Sequence, residues 1–430
     1  MLAPFGIRPK GTLAARMLPL AQALVRCGHR VVIVAPPVHN PNDAATCVEY
    51  DGVPVIHTAA PRAPGVAQQT LALLQETLRQ RPDVVHLFKP KGYAGLAALA
   101  LHHLRPALPL VVDTDDWEGP GGWNDLLPYP SAAKRLFAWQ ERDLLRRADA
   151  ITVASRALET LVWSMGIAPE RVFYLPNGVK PSTLDTQRST FNLQRSTFNV
   201  QRSTFNVQRS TFNLQRSTPN LQPSTFNLQP STFNLQPSTF NLLLYTRFWE
   251  LDVREVVAAL VGVAIHCPNV RLIVVGKGER GEENELLRLV QRAGLAPVVD
   301  YRGWLMPDHI PATLVEADVA LMPMRDTLIN RARGLAKLLE LMGAGLPIVA
   351  SRVGQASEYL EHGVSGWLVP PGNARALAEA VLHLIGDADL RRRLGDGARR
   401  AAMRYSWDAL APIAERAYAR VRVSALNVQR

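Results

Sequence analysis

The sequence predicts an α/β protein of two domains, each a doubly wound parallel sheet, and three observations carry that prediction. Short apolar runs recur along the chain with amphipathic helical segments between them, which is the spacing of βαβ units. The chain has 430 residues, more than one hydrophobic core usually encloses. Residues 330–351, NRARGLAKLLELMGAGLPIVAS, join an amphipathic helix to a buried strand through glycines.

In the first half the strand candidates are 30–35 (RVVIVA), 83–88 (DVVHLF), 110–113 and 150–153, with helices such as 13–26 and 66–81 between them. Met1 falls inside what should be an earlier strand, so the natural chain is expected to begin upstream. Ligands of such sheets bind in the loops at the carboxyl ends of strands. Three loops there carry candidate chemistry. In 4–12 (PFGIRPKGT), Gly6 and Gly11 permit close backbone approach, and the helix start at Thr12 can receive an anion. The other two are 86–92 (HLFKPKG) and 113–118 (DTDDWE). Each also reads as an ordinary turn or helix cap.

In the second half, Leu335, Leu338, Leu339 and Met342 form one apolar stripe, while Arg333, Lys337 and Glu340 fall on another face of the same helix. A plain solvated Lys/Glu pair there would be worth only about 0.2–0.5 kcal/mol. Gly343 and Gly345 stop the helix, and 346–350 is a short buried strand. Residues 318–323 read as another strand, and Gly363 and Gly366 mark turns.

Hydrophobic residues make up 47% of the chain, as in ordinary globular proteins. No apolar run approaches the ~18 residues of a membrane span, and residues 1–9 carry no secretory core. Cys27, Cys47 and Cys267 lack CxxC spacing, against a disulfide framework and against a zinc site. A reducing cytoplasm is the expected setting. Of the formal charge of +11, five units come from Arg188, Arg195, Arg202, Arg209 and Arg216, leaving +6 elsewhere. That excess suits anionic nucleotide diphosphates and peripheral contact with an anionic inner membrane face, and does not call for nucleic acid.

Those arginines belong to eight tandem heptads at 187–242, QRSTFN(L/V) giving way to QPSTFNL. Apolar residues two and then five apart miss the coiled-coil pattern, and Pro219, Pro223, Pro230 and Pro237 break helices. The tract reads as an extended or disordered insertion, with a stacked solenoid as the alternative.

Four segments taken together, VRLIVVGKGERGEENELLRLV, VDYRGWLMPDHIPATLVEADVALMP, LLELMGAGLPIVAS and VSGWLVPPG, resemble the C-terminal domain of family 4 glycosyltransferases, retaining GT-B enzymes that use nucleotide-sugar donors. Residues 148–179 resemble the end of that family's N-terminal domain. The resemblance implies an acceptor domain at 1–180, the repeat insertion in the linker at 187–242, a donor domain at 243–403, and a helix at 404–425 crossing back to the first domain.

It also implies roles. Arg247 matches an arginine on the donor diphosphate, where a fixed guanidinium stabilises the leaving group. The lysine usual a few positions later is absent, and Phe248-Trp249-Glu250-Leu251-Asp252 stands there, so Lys337 is the candidate second cation. Of two family glutamates eight apart, Glu340 matches the one on the ribose, and Ala332 stands at the other. Sugar contact then falls to Asn330, Arg331 or backbone near Gly334 and Leu335. Gly276 and Gly303 resemble walls of the nucleotide pocket, and Gly6, Gly11 and Thr12 face the phosphates. Asp115 and Asp116 stand where many relatives carry His-Asp, and with Lys89 and Lys10 form the expected acceptor side.

The expected function is sugar transfer from a nucleotide diphosphate sugar to a saccharide, lipid-linked or small-molecule hydroxyl with retention, without metal or cofactor. A catalytically degenerate nucleotide-sugar binding protein and a GT-B epimerase are the alternatives.

Overall fold

The structure, a computed structural model, describes residues 1–8, 11–38, 40–60, 65–179 and 239–428. The first domain holds strands β1 (Ile33–Ala35), β2 (Cys47–Tyr50), β3 (Val53–His57), β4 (Val85–Phe88), β5 (Leu110–Thr114), β6 (Ala150–Val153) and β7 (Val172–Tyr174). They form two ribbons, β1-β3-β2 and β4-β5-β6-β7. Leu2 pairs with both Val34 and Leu87 and so joins the ribbons into one sheet. Pairing is parallel except in the β2–β3 hairpin, where a two-residue connection leaves no room for a crossover. Every residue of β4, β5 and β6 is buried, as expected for strands covered on both faces.

The predicted 13–26 helix is interrupted. Leu13–Met17 form a π-type turn before the α-helix Leu18–Arg26, in which Pro19 stands in the first turn. Proline inside a helical run removes an amide donor and crowds the preceding turn, and a widened turn is one way the helix accommodates it.

The second domain holds β8 (Phe240–Tyr245), β9 (Val270–Val275), β10 (Val299–Gly303), β11 (Val319–Met322), β12 (Ile348–Ser351) and β13 (Trp367–Val369) in the order β10-β9-β8-β11-β12-β13, all parallel. The order reverses between β8 and β11, so the crevice at their carboxyl ends is where a ligand is expected. Alternation along β8 sends Leu243 to one core layer and Leu242 and Leu244 to the other.

One boundary moves. β8 starts at Phe240, inside the last heptad, and Asn241 donates its amide to Asp318 Oδ2 at 2.9 Å. Phe240-Asn241-Leu242 therefore belong to the domain and not to the insertion, because they continue the apolar run of Leu243–Tyr245. The rest of the insertion, up to residue 238, lies outside the described residues.

The long helix Trp407–Val428 leaves the second domain and packs on the first. Trp407, Leu410, Ala411 and Ala414 join the core formed by Leu18, Leu20 and Leu24, and the Tyr418 hydroxyl lies 2.8 Å from His86 Nδ1. Gly178 lets Trp407 close down: a Cβ there would stand 2.6 Å from the indole.

Candidate active site

At the end of β8 the chain turns sharply. Phe248 adopts φ 69°, a region costly for a bulky side chain. Hydrogen bonds hold it there: Phe248 N donates to Thr246 Oγ1 at 2.8 Å, and Glu250 Oε1 accepts from Thr246 Oγ1 at 3.1 Å and Arg247 N at 3.0 Å. The turn buries Phe248 and Glu250 and leaves the Arg247 side chain exposed at the crevice. Next to it, Gly276 (φ 133°) is obligatory, since a Cβ would stand 1.8 Å from the Thr246 carbonyl oxygen. Its N–H donates to Gly303 O at 2.7 Å, which ties the β9 and β10 loops together.

The helix expected from Asn330 onward is two pieces, Leu328–Ala332 and Ala336–Gly343. Arg333 is extended (ψ 154°), so it does not share a helix face with Lys337 and Glu340 as the heptad-like spacing suggested. The break aims it at the β8 turn instead. Its guanidinium lies 4.6 Å from the Trp249 ring centre and 4.0 Å from Glu250 Oε2. Lys337 Nζ sits 4.3 Å over the ring of Tyr245, whose hydroxyl hydrogen-bonds Glu340.

Arg333 and Lys337 thus gather about one buried carboxylate, with Arg247 near enough to repel both. Burial works against an ionised Glu250, but Arg333 and Lys337 outweigh it and hold its pKa below the usual carboxylate range. Lys337 is poorly compensated: burial first, then Arg247 and Arg333, push its pKa down to about 7. Burial also lowers that of Arg333. Such a site gains when an anion enters.

The facing wall comes from the first domain. Arg16, fully buried, makes a bidentate pair with Asp113 (2.8 and 2.7 Å) and reaches Asn177 Oδ1 (3.1 Å) and Leu175 O (2.7 Å). Above it, Lys89 at φ 50° places Nζ 2.5 Å from Asp116, 3.1 Å from Asp115 and 3.3 Å from Glu118. Lys91 bonds the other Glu118 oxygen at 2.8 Å and Asn124 at 3.0 Å. Burial opposes the charge on Lys89, yet the three carboxylates outweigh it and raise its pKa.

The domains meet along a continuous seam. Ala332, fully buried, packs into the first domain's core, and its carbonyl accepts from Ser155 Oγ at 2.7 Å. Gly334 N donates to Asp115 O at 2.8 Å, where a Cβ would stand 2.3 Å from Asn177 Nδ2. Gln355 accepts from Leu335 N at 2.6 Å and donates to Ala154 O. Glu358 accepts from Tyr174 (2.7 Å) and Arg156 N (3.1 Å).

This geometry sorts the residues expected from sequence. Arg247, Lys337, Glu340, Gly276 and Gly303 come together at the crevice. Thr12 reaches it through a 3.1 Å bond to Asp115, while Gly6 packs against Pro36 O and His57. Gly11 accepts from Ala15 N as the following turn begins. Five residues are otherwise engaged. The Asn330 amide donates to Glu250 O and Arg325 O, both at 2.8 Å, and the Gly334 and Leu335 N–H groups are spent on the seam. Lys89 is buried among carboxylates and offers nothing to an acceptor. Asp115 is buried with it, and Asp116 keeps a partly exposed carboxylate. Lys10 lies outside the described residues. Arg333 and Glu250 were visible in the sequence, but only the helix break and the strained turn bring them together. Among the described residues no acidic, His or Cys group could hold a metal ion.

Fold and site define a two-domain α/β protein with a cation-lined crevice at the switch point of its second sheet. The Glycosyl transferase 4-like domain model matches residues 11–178, and the Glycosyl transferases group 1 model matches 241–387. Between them these span most of the chain, which belongs to the glycosyltransferase family they describe. The phosphatidyl-myo-inositol mannosyltransferase of Mycobacterium leprae is 33% identical over 171 residues, 40% of this chain and 43% of that protein. The GDP-mannose-dependent alpha-(1-6)-phosphatidylinositol monomannoside mannosyltransferase of Mycobacterium tuberculosis is 30% identical over 36% of this chain and 40% of its own. Each match thus spans under half of the relative. Among solved structures, sucrose-phosphate synthase from Thermosynechococcus elongatus superposes with TM-score 0.67 at 19% identity, covering 98% of both chains. Anabaena HepE, solved with UDP and glucose, gives 0.61 at 20%, covering 96% and 97%. The fold is GT-B.

Proposed function

We propose that this protein transfers a sugar from a nucleotide diphosphate sugar to an acceptor hydroxyl, with retention, in the synthesis of a glycan, glycolipid or polysaccharide. The observation that carries the proposal is the under-compensated pair Arg333 and Lys337 around Glu250, with Arg247 exposed beside them, at the β8/β11 crevice. Departure of a nucleoside diphosphate gathers negative charge, and cations fixed beforehand stabilise it without reorganisation. Arg247 and Lys337 take that charge, and Glu340 reaches the ribose. The acceptor attacks from the side the diphosphate leaves, and the departing phosphate takes its proton, so neither metal nor cofactor has a step.

The relatives that use GDP-mannose and the HepE complexes with UDP support a nucleotide-sugar donor of this general kind. Contact with an anionic membrane face is supported by one exposed row on the helix Ser131–Arg147: Arg135, Trp139, Arg142 and Arg146. No helix of the described residues is long and apolar enough to cross a membrane.

A second reading, a nucleotide-sugar binding protein without turnover, is favoured by the burial of Ala332, which leaves no carboxylate at that position for the donor sugar. Nucleotide release separates the two. UDP- and GDP-sugars incubated with saccharide and lipid-linked acceptors should release nucleotide, and Arg247→Ala should lower kcat/KM by more than tenfold, about 2–4 kcal/mol. Donor-dependent thermal stabilisation without release across the panel would leave only the binding reading.

A further inference from the structure

A second cavity, of about 280 Å³, opens on the seam beside the β8 turn. The first domain contributes Trp123, Leu126 and Leu127, and the second contributes the turn itself and the starts of the helices Val253–His266 and Glu282–Arg292. Its volume lies just under the ~300–1,000 Å³ of pockets for drug-sized ligands, so it holds one ring and little more.

The lining is aromatic and polar, and its arginines already have partners. Trp123 and Trp249 meet edge to face, ring centres 4.7 Å apart. Arg254 lies 3.5 Å from Glu285, Arg280 donates its backbone amide to Glu282 and its guanidinium to Leu126 O, and Arg325 donates to Trp249 O at 2.7 Å. A phosphate would find these arginines engaged and acids nearby. A neutral polyhydroxylated ring would find aromatic surface for its C–H face and both donors and acceptors for its hydroxyls.

The cavity is also wired to the donor crevice. Trp249 lines it and at the same time carries Arg333 on its ring, and Arg247 lies two residues back. We infer that this seam cavity is a saccharide subsite for the acceptor, holding one neutral pyranose ring against Trp123 and Trp249. The inference rests on the transferase reading for its role, and on the cavity alone for its ligand class. It also accounts for recognition once Lys89 and Asp115 are occupied internally.

The test uses the full-length chain and methyl glycosides of mannose, glucose and galactose at millimolar concentration, read by saturation-transfer NMR, with thermal stabilisation by UDP and GDP measured in parallel. At least one glycoside should receive saturation from the wild type. Trp123→Ala, which removes the platform, and Leu127→Trp, which fills the space, should each weaken that binding about tenfold. Unchanged transfer in both variants overturns the inference, and so does a wild type that binds none of the glycosides while a nucleotide still stabilises it. If glycosides bind and respond to both variants but no nucleotide stabilises the protein, the saccharide site stands and the donor reading falls.

Discussion

On the proposed reading, Lys337 makes donor binding sensitive to pH in the direction its surroundings set. In the free protein its ammonium is held at about 7 by burial, with Arg247 and Arg333 adding to the loss and Glu250 and Glu340 opposing it, while Tyr245 offers only its ring face. A donor diphosphate favours the protonated form, so binding takes up a proton once the pH exceeds that value. The fraction competent to bind is about one half at pH 7 and about one hundredth at pH 9, and apparent affinity scales with that fraction. A nucleotide sugar should therefore bind up to about fifty-fold more weakly at pH 9 than at pH 7. Titration calorimetry with the intact nucleotide sugar, in buffers of different ionisation heat, reads both the affinity and the proton taken up. Lys337→Met should bind more weakly at neutral pH and show no slope. A wild-type affinity constant across the range, or a slope surviving in Lys337→Met, would refute the placement of Lys337 at the diphosphate. Stability runs the other way: the folded pKa lies below the unfolded 10.5, so the cost of charging Lys337 is present below about pH 7 and fades as pH rises towards the unfolded value.

Three further outcomes follow from buried contacts and from the insertion. Arg16→Met leaves Asp113 buried without its partner and should cost about 3–5 kcal/mol, roughly 6–20 °C in Tm, by calorimetry; Arg16→Met combined with Asp113→Leu should recover much of that. Deleting residues 187–238 should leave transfer rates within about twofold, since linker length costs little; loss of activity with an unchanged Tm would give the repeats a role. Ala332→Glu, which puts a carboxylate where relatives of this family carry one, should lower Tm and open the seam by about 3 kcal/mol or more, visible as a larger radius of gyration in solution scattering; a variant that keeps its Tm and gains transfer activity would show that the side chain can reach the donor.

Much of the fold was written locally. β6 and β11 occupy the positions their apolar runs marked, because a strand buried on both faces shows itself as an uninterrupted stretch bounded by turns. The edge hairpin β2–β3 left no such mark: Cys47–Tyr50 is mostly exposed, and its pairing depends on a neighbour. The site divides in the same way. Arg247 and Lys337 could be placed from the strand end and helix that carry them, whereas the Arg333–Trp249–Glu250 contact needs φ 69° at Phe248 and a helix break at Arg333, and neither is a property of composition or period.

Ala332 shows where local pattern reaches its limit. Against the family's spacing it reads as a lost carboxylate, a deficit in the donor site. In the folded chain its methyl packs with the first domain's core while its carbonyl takes the Ser155 hydroxyl, and the next two residues turn Arg333 toward Glu250 and Gly334 onto Asp115. A glutamate would carry an unpaired charge into that contact, at a cost of several kcal/mol. The alanine and the inward-turned arginine are thus one arrangement: the side chain that would have met the donor sugar is exchanged for a seam that holds a guanidinium beside the β8 turn. What looks in the sequence like a missing sugar contact is, in space, part of the seam beside which the cationic crevice is assembled.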